Sequence, residues 1–152
     1  MRPGEKTDRS ERVKSVERQY FVAEMARESL EAALRAHSAL LTGIGLNAAD
    51  LRAFKSNLLD TYFIRLFAEF ETAIKDYWKN GLNEDPRTRI MDVIESLAAR
   101  QRVLDSVRVN VHAARKWRNK LVHEDDTDAT ELELTSARSS FGKFLGYLPD
   151  DW

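Results

Sequence analysis

In a chain of 152 residues, Arg118 and His123 are the pair best equipped for chemistry, and they sit in the run "WRNKLVHEDD", Trp117 to Asp126. A guanidinium is a permanent cation whose planar fork matches oxyanions. An imidazole exchanges its proton near neutral pH. Side by side they would allow proton transfer next to a stabilised anion, without a metal or an organic cofactor. Asn119 and Lys120 lie between them and Arg115 precedes them. Competing chemistries lack their residues. The absence of cysteine removes thiol nucleophiles, disulfides and thiolate metal sites together. There is no Glu-x-x-His pair, no H-E-x-x-H, no G-x-x-x-x-G-K-[ST] and no G-x-S-x-G. His37 sits at a helix end with no clustered ligands, and His112 falls on the polar side of its helix, where an exposed position is expected.

The pattern that must position these residues is helical. The three prolines and five of the six glycines, Gly4, Gly43, Gly45, Gly81 and Gly146, fall where helices should stop, and nothing alternates with period two over a useful length. A first helix is expected from about Ser10 to Ala36, behind a flexible charged tail at residues 1–9. A second opens at Asn47 with Asp50 three residues on, and Asn80 and Gly81 end it. Pro86 suits the first turn of a third helix, "PRTRIMDVIESLAARQ". A fourth spans about Leu104 to Leu121, and a fifth carries Leu132 to Leu145. The fold class is all-α: one domain over residues 10–152, a bundle of four or five helices. A hydrophobic content of 43% suits a packed core, and a net charge of −1 gives no global attraction to nucleic acid or membrane. No run approaches the ~18 apolar residues of a membrane span. A cytoplasmic protein with no membrane partner is the expectation.

At 100° per residue, Leu104, Val107, Val111, Ala114, Trp117 and Leu121 share one face of the fourth helix, and Arg118 falls near its middle. A charge facing a core needs a carboxylate, a route to solvent or an anionic ligand. From Arg100 to Lys120 there are seven basic residues against Asp105 alone, whereas His123 to Glu133 holds six carboxylates and no base. Five helical positions separate Arg118 from His123 by about 140° around the axis and about 7.5 Å along it. On one regular helix they do not converge. Either the helix loosens before His123, or a second chain contributes to a shared site. Two plainer readings stand beside these: Arg118 as an internal ion-pair member, and His123 as a cation at a helix C-terminus.

"RNKLVH" resembles the R-x4-6-H motif of the HEPN superfamily (higher eukaryote and prokaryote nucleotide-binding domains). "NVHAARKWRNKLVHED" is similar to the motif helix of the RiboL-PSP and related bacterial families, and "LFAEFETAIKDYW", Leu66 to Trp78, to their second helix. The likeness covers roughly Leu58 to Glu124. It implies a dimeric helical bundle acting as a metal-independent endoribonuclease, a toxin or defence effector with RNA as substrate and an antitoxin protein as a possible partner. It also implies a cleft in which two copies of the motif meet. On this resemblance His123 transfers the proton and Arg118 steadies the phosphorane. Asn119 contacts phosphate or fixes His123, Lys120 and Arg115 hold flanking phosphates, and Glu71 orients Arg118. One departure is Asp125, where toxins paired with small nucleotidyltransferases often carry tyrosine. A non-catalytic HEPN module that binds RNA or protein, and a plain helical adaptor, are the alternatives. The acidic run after His123 reads as a solvated linker, or as a surface that excludes RNA or binds a basic antitoxin. Trp78 and Trp117 are open between core packing and a dimer interface.

Overall fold

Local hydrogen bonding decides where each helix starts and stops. The computed structural model describes residues 5–123 and 128–152. Its helices are α1 (Glu5–Ala36), α2 (Ala48–Asp76), α3 (Ile90–Arg100), α4 (Asp105–His123) and α5 (Leu134–Gly146), with no strand among the described residues. Asn47 caps α2 as expected. Its side-chain oxygen accepts from the backbone N–H groups of Ala49 and Asp50 at 2.8 and 3.1 Å, and Asp50 accepts from the Asn47 N–H at 2.9 Å. Two orphan donors are thereby satisfied reciprocally.

Three boundaries differ from the sequence expectation. α1 begins at Glu5, so residues 5–9 are helical, and both of its early cations have distant partners. Lys6 donates to the carbonyls of Gly146 and Leu148 and to Asp150, while Arg9 pairs with Asp76 at 3.2 Å. α3 begins at Ile90 rather than beside Pro86. Asp85 accepts from the Arg87 N–H at 2.9 Å and its carbonyl accepts from Thr88, so residues 85–88 close a turn that the helix cannot include. The end of α2 widens into a π-type turn, Tyr77–Gly81, in which the Leu82 N–H donates to the Tyr77 carbonyl five residues back at 3.0 Å, instead of stopping at once.

α2 is the central element. Phe63, Leu66, Phe67, Phe70 and Ile74 are fully buried, and Phe70 stacks on Phe141 of α5 with centroids 4.3 Å apart. α2 and α5 lie between α1 and α4, while α3 closes the bundle against α2 and α4. No described charged residue is buried. No described residue between Val16 and Leu58 is buried either, so the distal half of α1 and the first turns of α2 form a two-helix arm beyond the core. Among the described residues no helix is long and apolar enough to cross a membrane.

Candidate functional site

α4 is one unbroken α-helix through His123, which removes the possibility that the chain loosens before the histidine. Within one chain Arg118 and His123 therefore diverge around the axis, as the angles required. His123 is exposed at the helix end, and Arg118 is half-buried between α4 and α2. The Arg118 guanidinium carbon stands 5.5 Å from the centroid of the Phe67 ring, close enough for a cation–π contact. One terminal nitrogen, Nη1, donates to Asn119 Oδ1 at 3.1 Å, while the buried Nε–H has no hydrogen-bond acceptor among the described residues. Among the described residues Arg118 has no carboxylate partner. This is a costly arrangement for a purely structural arginine, because a buried donor left unpaired forfeits its desolvation energy.

Glu71, which the resemblance assigns to Arg118, pairs instead with Lys75 one turn along α2, at 3.1 Å. Lys120 reaches over the Trp117 ring, 5.7 Å from its centroid. Arg115 donates from Nε to His112 Nδ1 at 3.4 Å. Trp117 is half-buried against the core, and Trp78 is a core residue whose indole N–H bonds the Asp85 carbonyl and the Thr88 hydroxyl. Residues 124–127, the first part of the acidic run and the site of Asp125, lie outside the described residues.

His112 differs from expectation. Its side chain is only 15% exposed, and Nε2 lies 2.6 Å from Glu95 of α3, which also holds Arg108 at 2.8 Å. Burial pushes the imidazole below its ordinary value; Glu95 opposes this and the nearby Arg115 and Arg108 reinforce it. A neutral His112 accepting at Nδ1 from Arg115 would donate from Nε2 to Glu95. Arg108, His112, Arg115, Asn119 and His123 fall within about 80° of one another around α4, a polar stripe on the flank next to Arg118. Beside its N-terminal end Arg108, His112 and Lys116 line an open cavity of about 260 Å³, with residues 128–130 on its other side. Sequence reasoning missed Glu95, since a pairing between two helices leaves no trace in spacing, and it missed Phe67 as the platform under Arg118.

Chemically, the α4 end offers a phosphate-sized cation fixed against an apolar wall and a solvent-facing imidazole. Neither a family model, nor a curated protein, nor a solved structure matches this chain.

Proposed function

We propose that this protein is a metal-independent endoribonuclease of HEPN type, a toxin or defence effector that acts in the cytoplasm. Its catalytic groups are Arg118 and His123, and two chains, related by a two-fold contact between the ends of α4, supply one composite cleft. The observation that carries this reading is Arg118: a half-buried guanidinium with an orphaned Nε–H and no carboxylate partner among the described residues, beside an exposed histidine that its own chain holds out of reach. A cation with no carboxylate partner among the described residues at such a position suits an anionic ligand.

In the reaction, the ribose 2′-oxygen attacks the adjacent phosphorus as one His123 takes its proton. The O2′–P bond forms, the P–O5′ bond breaks, and the second His123 protonates the leaving 5′-oxygen. Arg118 neutralises the charge on the phosphorane oxygens. Asn119 steadies the Arg118 fork, and Lys120 and Arg115 hold flanking phosphates without reading sequence. Glu71, engaged by Lys75, becomes a positioning residue for Arg118 only if dimer formation or RNA releases it. A basic antitoxin facing the acidic run is the protein partner that fits.

The test is cleavage of single-stranded RNA in EDTA, comparing wild type with Arg118→Ala, His123→Ala and the exposed control His37→Ala. Each of the first two should lose at least ~100-fold in rate, the scale of an acid–base group or an oxyanion donor. Products should end in a cyclic phosphate and a 5′-hydroxyl. Unchanged RNA at every enzyme concentration, with binding retained, would favour the non-catalytic RNA-binding module, to which the separation of Arg118 and His123 within one chain is no obstacle. Cleavage that requires a divalent metal and leaves 3′-hydroxyl ends would reject the mechanism.

A further inference from the structure

The arm carries an apolar surface that the bundle does not use. Phe21 and Met25 are 48% and 68% exposed, on the side of α1 opposite its buried Val13 and Val16, and Val22, 66% exposed, lies on the flank where α1 and Tyr62 of α2 line a groove. They belong to a longer stripe, because Phe21 and Met25 continue a spacing of three and four through Arg18, Lys14 and Glu11 on one side and Glu28, Ala32 and Arg35 on the other. Such a spacing puts all eight on one face of the helix, apolar at Phe21, Met25 and Ala32 and charged at the other five positions. The stripe is exposed along its length: the side chains of Glu11, Lys14, Arg18 and Glu28 are at least half-exposed.

What distinguishes this stripe is its behaviour on reversal. Turned about a two-fold axis at residue 23, it maps onto itself. Phe21 meets the partner's Met25 at the centre. Arg18 then meets the partner's Glu28, and Glu11 meets the partner's Arg35, so both outer pairs are opposite in charge. Lys14 meets the partner's Ala32, which is neutral. No like charges face each other at any of these positions. The ion pairs that Glu11 now makes with Lys14 and Arg18 within the helix, at 3.0 and 3.4 Å, would be exchanged for intermolecular ones.

We propose that the outer face of α1 is an antiparallel docking surface for α1 of a second copy, with Phe21 against the partner's Met25 and Arg18 against the partner's Glu28. α2 and α5 lie between α1 and α4, so this contact is separate from one made at the end of α4 and can coexist with it.

Cysteine pairing tests the register, since the chain has no cysteine of its own. In Arg18→Cys/Glu28→Cys the two thiols of one helix lie about 15 Å apart and cannot bridge, so any disulfide between them joins two chains. Mild oxidation at micromolar concentration should give a covalent dimer from the double variant and none from either single variant. A folded double variant that stays monomeric on a non-reducing gel would overturn the proposal, as would single variants that cross-link equally well. Charge exchange gives a second reading: Arg18→Glu should weaken the contact by at least ~10-fold through two like-charge pairs, and Arg18→Glu/Glu28→Arg should restore it. Failure of that rescue would also reject the register. RNA cleavage by these variants reports separately on the α4 site, which none of them touches.

Discussion

Arg118 has two roles that pull in opposite directions. Its guanidinium lies over the Phe67 ring, a cation–π contact that favours folding, whereas its buried Nε–H lacks an acceptor among the described residues, which opposes it. Arg118→Met keeps an unbranched apolar side chain there and removes the orphan donor. Stability to denaturant should be unchanged or greater by roughly 1 kcal/mol, while the RNA cleavage that the proposed function requires should be lost. A variant unfolding several kcal/mol more easily would mark Arg118 as a structural ion-pair member. His112 makes a pH-dependent prediction of defined sign. Its folded-state pKa lies below the ordinary 6.5, chiefly through burial, so the unfolded chain takes up a proton that the folded chain refuses. The full contribution is present above 6.5 and is lost as pH falls from there toward the folded value. Glu95 is also held below its ordinary 4.5, mainly by Arg108, and its contribution stays intact above that pH. The stability gap between wild type and His112→Gln should therefore narrow between about pH 7.5 and pH 5.5, measured by denaturant midpoints. A gap that widens on acidification would mean that His112 is protonated in the fold.

The helices are held to their lengths by a few close approaches, and glycine marks one of them. Gly81 closes the π-type turn so near the Tyr77 ring and the Trp152 Cβ that any side chain there would collide with both. Gly81→Ala should cost about 1–3 kcal/mol through overpacking. Gly142, inside α5, has open space where its Cβ would be, so Gly142→Ala should stabilise by roughly 0.5–1 kcal/mol. Equal effects from the two substitutions in thermal melts would contradict this placement. The same elements show what the sequence could convey. The apolar stripes of α2 and α4 were readable because core residues repeat at helical spacing, and Asn47 announced its cap. The first turn of α1 was not readable, since residues 5–9 are polar throughout and are tied down by Gly146, Leu148 and Asp76, far away in the chain. Pro86 suggested a helix start, but the Asp85 side chain built a turn first. At the site, the position of Arg118 on the apolar face followed from angles alone. Glu71 could have been read differently, because a lysine four residues later is its nearest helical partner and takes it.

At the scale of the whole chain, the two ends of the described sequence meet on Asp76. Its carboxylate accepts from Arg9 of α1 at 3.2 Å and from the Trp152 indole at 3.1 Å on one oxygen, and from Asn80 at 2.7 Å on the other. Burial alone would raise the Asp76 pKa, but these donors outweigh it and hold the carboxyl below its ordinary 3.8. The clasp therefore contributes fully above about pH 3.8 and is lost as pH falls through the depressed folded value. Removing the acceptor leaves Arg9 and the indole without a partner. Asp76→Ala should cost about 2 kcal/mol, or roughly 4–8 °C in Tm for a chain of this size, and Asp76→Asn somewhat less because it keeps an acceptor oxygen. Trp152→Ala removes one donor and also the ring packed against Tyr77 at 5.1 Å. Since Trp152 and Asp76 share a hydrogen bond, the double variant Asp76→Ala/Trp152→Ala should be destabilised by less than the sum of the two single changes. Additive losses would show that Asp76 and Trp152 act independently, and that the clasp does not join the ends of the bundle. Because the clasp lies at the far end of α2 from the arm, none of these substitutions should alter cross-linking between the outer faces of α1.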